Sequence, residues 1–316
     1  MDVSVIIITR NTRDLTLDAV RSVQTPADSV SREIIVVDNG STDGTADTLK
    51  QNFPPVNVIR SETNLGFARA CNRAAKSAQS EFLLLLNSDA RLEPDALPRT
   101  VEYMRAHTDC AVAGAQLLNA DGSRQNSIAN FPTLATELLN KSLLRRLFPR
   151  RFPGKEQTLD APTPVETVIG AFMLIRKSAW DALDGLDERF FFFFEETDFC
   201  LQVRRRGWSV FHLPAVHVWH GQGQTAKQVS ARARIEYWRS RYTYFSKNHS
   251  LTSRIILAAG LWLRLMVDFF AAGFMCLVTF GQNVRWRGRW DVCSALVFWH
   301  LRGCPHMGGL ASATNL

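Results

Sequence analysis

Apolar residues fall in short continuous runs through the first third of the chain, and each run ends on polar, turn-forming residues. Val3–Thr9, Glu33–Asp38, Val56–Arg60 and Phe82–Leu86 are β-branched or leucine-rich runs of strand length, and read as strands buried on both faces. Between them, Arg13–Gln24 and Gly66–Ala78 carry helical spacing, with Asn11 placed to cap the first of these helices. The stretch Asn39-Gly40-Ser41-Thr42-Asp43-Gly44 is rich in residues that tolerate turn geometry. Strands alternating with helices at this spacing predict an α/β fold, a mostly parallel open sheet with helices on both faces.

The pattern changes after residue 110. Ala111–Leu118 and Arg124–Ile128 flank Asn119-Ala120-Asp121-Gly122 and read as a hairpin. Residues 130–165 contain prolines and a basic stretch around Leu144–Lys155, and are expected to form a long mobile connection. Val165–Ile175 reads as a strand, Glu196–Arg206 as a helix and Trp208–Leu213 as a strand. From residue 226 the chain becomes helical and amphipathic, so the expected domains are 1–225 and 226–316. Ile255–Phe280 is nominally long enough to span a bilayer, but Arg264 and Asp268 sit near its middle, spaced to pair on one helix face. Each charge would cost roughly 2.5–3.5 kcal/mol at the bilayer centre. Arg285, Arg287 and Arg289 interleave with Trp286 and Trp290, an interfacial pattern. Attachment to a membrane surface, without crossing it, is the expectation.

Composition sharpens this division. The 316 residues carry a net charge of +7, but Lys and Arg outnumber Asp and Glu by 12 to 3 from residue 226 onward, against 25 to 27 before it. The basicity therefore belongs to the C-terminal region, where it flanks apolar, Trp-rich stretches. Anionic lipid suits that pattern and nucleic acid does not. Six cysteines form no CxxC pair, so neither zinc nor a disulfide framework is indicated. With a strand already at residues 2–9 and no basic-then-apolar leader, the cytoplasmic face of the plasma membrane is the expected location.

Three polar clusters follow buried strands, where ligands bind in open α/β sheets: Thr9-Arg10-Asn11, Asp38-Asn39-Gly40-Ser41 and Asn87-Ser88-Asp89. No GxGxxG follows the first strand, which argues against a dinucleotide-binding dehydrogenase, and no P-loop is present. A bound diphosphate would then need a hard divalent cation, Mg²⁺ or Mn²⁺, held by Asp89. A second acidic block, Glu195-Glu196-Thr197-Asp198, follows five phenylalanines, Phe190–Phe194, which should draw it inward and raise a carboxyl pKa. His220 precedes Gly221-Gln222-Gly223, a turn that a ligand can approach.

The order of these pieces resembles the family 2 glycosyltransferases of the GT-A fold, in the rhamnosyltransferase-like and galactofuranosyltransferase-like branch. The resemblance runs over about 70% of the chain: VSVIIITRN from Val3, IIVVDNGSTDGT from Ile34, NLGFARACN from Asn64, LLLLNSDA from Leu83, GAFMLIRKSAW from Gly170, the segment from Leu183 to Trp208, and HVWHGQG from His217. It implies an inverting transfer of a sugar, rhamnose among the candidates, from a nucleotide diphosphate carrier to a glycan or polyprenyl-linked acceptor in cell-surface polysaccharide synthesis. By position it implies that Asp38 recognises the base, that Asn64, Gly66 and Asn72 line the nucleotide pocket, and that Asn87 lies near the ribose. Asp89 and His220 fall where the family binds metal, Gly170-Ala171 where backbone borders the donor sugar, and Glu195-Glu196 where the second acid is the base. Two positions depart from the family pattern: Asn87 replaces the first acid of Asp-x-Asp, and Glu196 stands where the base is usually Asp. A sugar nucleotidyltransferase is the competing enzyme class, but its glycine-rich phosphate loop is missing; a degenerate scaffold would not need Asp89, Glu196 and His220.

Overall fold

The computed structural model describes residues 1–24, 29–149, 151–152, 159–221, 230–305 and 309–310. In chain order the elements are β1 (Val3–Thr9), α1 (Arg13–Gln24), β2 (Arg32–Asn39), α2 (Thr45–Asn52), β3 (Asn57–Ser61), α3 (Phe67–Ala75), β4 (Phe82–Asn87), β5 (Ala90–Leu92), α4 (Ala96–Ala106), β6 (Cys110–Leu118) and β7 (Ile128–Ala129). There follow α5 (Leu134–Leu138), α6 (Lys141–Leu147), β8 (Thr163–Pro164), β9 (Thr167–Val168), β10 (Phe172–Arg176), α7 (Lys177–Ala182), α8 (Glu195–Arg205), β11 (Ser209–His220), α9 (Ser230–Asn248), α10 (Leu251–Val278) and α11 (Val284–Leu301).

Two compact units result. The first comprises Met1–Phe131, Arg145–Glu188 and Glu195–Gln224, and the second Pro132–Leu144, Arg189–Phe194 and Thr225–Leu316. The 225/226 boundary expected from the sequence lies outside the described residues, as do Gln222 and Gly223.

In the first unit the sheet runs β3-β2-β1-β4-β10-β6-β11-β5, with β8 paired to β11. The strands β3, β2, β1 and β4 are mutually parallel. From β1 the chain builds outward to β3 and then returns to place β4 on the other side of β1. Strand order therefore reverses between β1 and β4, and a crevice opens beyond their carboxyl ends. The period-two alternation explains the continuous apolar runs. Val5, Ile7, Val36, Leu84 and Leu86 bury on one face, and Ile6, Ile35, Val37, Leu83 and Leu85 on the other.

Some expected elements differ. The 165–175 run is interrupted at Gly170, giving β9, paired with β7, and β10, antiparallel to β4 and β6. The expected hairpin reduces to a single bridge between Leu118 and Arg124, because the chain leaves the sheet to bury Gln125 and Ser127. The 130–165 stretch contains α5, α6 and β8; Arg150 and residues 153–158 lie outside the described residues. Strand β11 runs to His220, well past Leu213, by a register shift: Leu213 pairs with Ala115 and His217 with Gln116.

In the second unit α9, α10 and α11 pack together. Gly273 lies so close to Trp290 that a Cβ would sit 2.5 Å from the ring. Asp268 pairs with Arg289 of α11 at 2.6 Å, which corrects the expected Arg264–Asp268 pair: a helix neighbour offers a better partner than the same-helix one. Phe193 and Phe194 belong to this unit and pack on Tyr237 of α9 with rings 5.5 and 5.2 Å apart. Both take positive φ, 73° and 71°, a conformation costing about 1–3 kcal/mol for each residue without glycine's freedom.

Candidate active site

The loops after β1, β2 and β4 are tied to one another at the sheet edge. Asn11, itself at φ 52°, donates its N–H to Ser41 Oγ at 3.0 Å and accepts from Thr42 N at 2.8 Å. Thr12 Oγ1 donates to Ser88 Oγ at 3.2 Å, bridging the β1/β4 crevice. Thr9 is buried at the root of the first loop, its hydroxyl 2.7 Å from that of Thr16. Asp38 is buried, and one oxygen accepts from Ser41 N at 2.9 Å.

Asn39, expected only as one member of the polar cluster after the second strand, is the clamp of the next loop. Its Nδ2 donates to Asn64 Oδ1 at 2.9 Å and Gly66 O at 3.2 Å, and its Oδ1 accepts from Leu65 N at 2.7 Å. Asn64 accepts from Gly66 N at 3.0 Å. Gly66 is needed at φ 81°, where a side chain would be strained. Asn72 lies further along α3, and its amide is engaged within the chain. Nδ2 donates to Leu186 O and Glu188 Oε1 at 2.8 and 3.2 Å, while Oδ1 accepts from Leu186 N at 2.9 Å.

The end of β4 meets the end of β11. Register pairs His220 with Ala90 of β5, which sets the ring beside Asp89. Asp89 Oδ1 lies 3.4 Å from His220 Nε2, with the two side chains only 13% and 10% exposed. His220 Nδ1 is 3.0 Å from Gln125 Oε1. Gln125 Nε2 faces three oxygens, His220 O at 2.7 Å, Asn119 Oδ1 at 2.9 Å and Leu118 O at 3.3 Å, so this atom must be the amide nitrogen. Its Oε1 is then an acceptor, and His220 donates from Nδ1, leaving a lone pair on Nε2. Asn87 Nδ2 sits 3.4 Å from that same Nε2. In the neutral form of His220 this tautomer turns the Nε2 lone pair toward Asp89 Oδ1, and the two atoms are ligands that a cation can bind together. The outward-held Nδ1–H is the usual support of a metal-binding imidazole. Among the described residues no group of three His, Cys, Asp or Glu is gathered. Two protein ligands, completed by diphosphate oxygens and water, suit Mg²⁺ or Mn²⁺.

The acidic block divides in two. Glu195 is buried on the side of Cys71, whose thiol is pushed well up first by burial and then by the charge of Glu195. Glu196, about 100° further round α8, lies along Gly170: a Cβ there would meet Glu196 Cγ at 3.5 Å. Burial pushes the Glu196 carboxyl up, opposed by its own N–H and that of Thr197. The next residue, Ala171, accepts from Asn87 N at 3.1 Å through its carbonyl. The Gly170-Ala171 backbone therefore runs between Glu196 and the end of β4. Asp198 is buried and accepts from Gln202 at 3.3 Å.

Known proteins bear on this geometry. The sequence matches the family described as Glycosyl transferase family 2 over residues 4–183, more than half of the chain. It is 24% identical over 232 residues to the N-acetylglucosaminyl-diphospho-decaprenol L-rhamnosyltransferase of Mycobacterium tuberculosis, covering 69% of this chain and 75% of that one. It is 23% identical over 184 residues to rhamnosyltransferase WbbL of Escherichia coli, covering 57% and 67%. In fold it is similar to the mannosyltransferase PcManGT from Pyrobaculum calidifontis, solved with GDP-Man and Mn²⁺, with TM-score 0.55, 16% identity and coverage of 95% and 86%. The sheet order, the crevice and the sequence match agree, and the chain belongs to glycosyl transferase family 2, with the GT-A fold.

Proposed function

We propose that the chain transfers a sugar, with rhamnose the leading candidate, from a nucleoside diphosphate carrier to a hydroxyl of a polyprenyl diphosphate-linked glycan, with inversion at the anomeric carbon. The observation that carries this reading is the opposition of Asp89 and His220 Nε2 at the end of the β1/β4 crevice. Asp38, Asn64 and Gly66 lie on the loops that would receive the nucleoside. Asn87, Asp89 and His220 stand where its diphosphate would end. A divalent cation bound there supplies positive charge to the departing diphosphate. Gly170, lacking a side chain, leaves backbone to border the sugar. Glu196 is the proposed base: its carboxyl, raised by burial, accepts the proton of the acceptor hydroxyl as that oxygen attacks. Glu195 is assigned to the interior. The acceptor class is supported by the name of the mycobacterial relative, and the sugar by the names of both bacterial relatives.

The helical unit is proposed to hold the enzyme on the cytoplasmic membrane surface. Helix α10 contains a window of mean hydropathy 1.9, only 22% buried. Leu263, Val267, Phe270, Phe274 and Leu277 form a stripe exposed by 61–76%. Arg264 and the Arg289-paired Asp268 near mid-helix favour lying in the interface over spanning. The test is a screen of dTDP-, UDP- and GDP-sugars with Mn²⁺ against a polyprenyl diphosphate-GlcNAc acceptor. Product formation that survives EDTA and Asp89→Asn would remove the cation, and no transfer from any donor would remove the substrate assignment.

A further inference from the structure

The helical unit encloses a cavity of about 830 Å³ between residues 136–142 and the helices α9, α10 and α11. Its wall holds five cationic side chains, Lys141, Arg234, Arg241, Arg264 and Arg289, against two carboxylates, Glu137 and Asp268. Both carboxylates are already engaged. Asp268 pairs with Arg289 at 2.6 Å, while buried Glu137 meets buried Arg241 at 3.0 Å and Lys141 at 3.7 Å. Arg234 and Arg264 form no ion pair among the described residues, and both are exposed. The positive charge left over therefore sits at the accessible part of the cavity, where an anion is drawn.

Apart from Thr136, Asn140 and Ser142, the rest of the wall is apolar, with Trp238, Leu261 and Leu265 inside and Leu139, 54% exposed, at the rim. The neighbouring Leu143 is 53% exposed. At about 100° per residue Arg264 lies only about 60° from Val267, which edges the exposed stripe of α10. A cationic mouth flanked by apolar surface on both sides fits a molecule that is anionic at one end and hydrocarbon at the other. A free anion has no use for the leucine rim, and an uncharged lipid none for the surplus arginines.

We infer that this cavity is a binding site for the phosphate-bearing headgroup of a membrane lipid, with Arg234 and Arg264 as its phosphate ligands and the chains leaving over Leu139 and the flank of α10. This rests on reading the helical unit as membrane-attached, and the experiment separates the two. Flotation of the full chain is measured with phosphatidylcholine vesicles and with an equal mixture of phosphatidylcholine and phosphatidylglycerol. The Arg234→Glu/Arg264→Glu variant is expected to lose at least tenfold of the affinity for the mixed vesicles and to keep its binding to the neutral ones. Arg285→Glu/Arg287→Glu makes the same charge change on exposed α11 residues outside the cavity, and is expected to lose much less. Equal losses in the two variants, or none in the first, overturn the site while leaving the membrane reading intact. If the chain floats with neither vesicle, the membrane reading fails, and calorimetry with soluble dihexanoyl phosphatidylglycerol still decides the cavity: unchanged affinity in Arg234→Glu/Arg264→Glu overturns it. Inorganic phosphate binding as tightly as the short lipid would make this a free-phosphate site and overturn the lipid assignment.

Discussion

Replacing Gln125 by Met tests whether the orientation of His220 is built into the protein. Met has nearly the same volume but no hydrogen-bonding amide, so the side chain that is 4% exposed stays packed. Two good hydrogen bonds to His220 disappear, from Nε2 to the backbone carbonyl at 2.7 Å and from His220 Nδ1 to Oε1 at 3.0 Å. Leaving a buried polar group unpaired costs about 1–3 kcal/mol. Two such groups, less the gain from burying thioether in place of amide, give a loss of roughly 2–4 kcal/mol in folding stability. The imidazole, no longer held as an Nδ1 donor, can carry its proton on Nε2 and donate a hydrogen bond to Asp89, and that bond competes with the cation. Loss of a supporting partner of this kind typically weakens metal affinity about 10- to 100-fold. Equilibrium urea denaturation without metal reads the first quantity. Electron paramagnetic resonance of free Mn²⁺, titrated with enzyme in the presence of a nucleoside diphosphate, reads the second. Unchanged Mn²⁺ affinity in Gln125→Met, alongside a large loss in His220→Ala, would show that the ring is oriented by something else. Unchanged affinity in both would remove His220 from the metal site.

Glu196→Gln should lower turnover by roughly 10²- to 10⁴-fold with donor affinity nearly unchanged, while Glu195→Gln should not reproduce that pattern. Because burial raises the Glu196 carboxyl, the fold binds its proton more tightly than the unfolded chain does, and wild type loses stability as pH rises through the unfolded value of about 4.3 toward the raised one. Denaturation curves of wild type and Glu196→Gln should thus converge in acid, with the variant the more stable at neutral pH; the reverse order at neutral pH contradicts the burial argument. Gly114→Ala would place a Cβ 2.6 Å from Val168 Cβ, so it should cost about 1–3 kcal/mol, and Val168→Ala in the same chain should recover much of it in a double-mutant cycle. Phe270→Ser with Leu277→Ser changes residues 68% and 76% exposed, so stability in solution should shift by no more than about 0.5 kcal/mol per site while recovery with membranes falls; undiminished recovery would move the attachment elsewhere.

The parallel half of the sheet was legible along the chain because each strand there is a self-contained apolar run ending on its own polar loop. Burial on both faces writes itself into consecutive residues, so Val3–Thr9 and Phe82–Asn87 needed no knowledge of their partners. The same holds for Asp38, Asp89 and Glu196, which stand at element ends where the hydrophobic pattern breaks. The antiparallel half was not legible in this way. Its strands β9 and β10 are cut by Gly170, and β11 continues through Pro214 only because β6 and β5 receive it with a shifted register. That register, a property of pairing between distant segments, sets His220 beside Asp89 across 131 residues of sequence. Gln125 carried no local signal at all. An amide on the second strand of an expected hairpin looks like solvent-facing filler until three oxygens from β6, its loop and β11 close around its nitrogen. Asn39 likewise reads as part of a turn, and becomes a clamp when the 64–66 loop is folded over it. In α10 the sequence supplied length and apolarity, whereas the partner of Asp268 was decided by the packing of α11. Periodicity records how each residue divides between core and water, which is a local matter; hydrogen-bond partners and ion pairs are chosen by whichever groups the closed fold brings within reach.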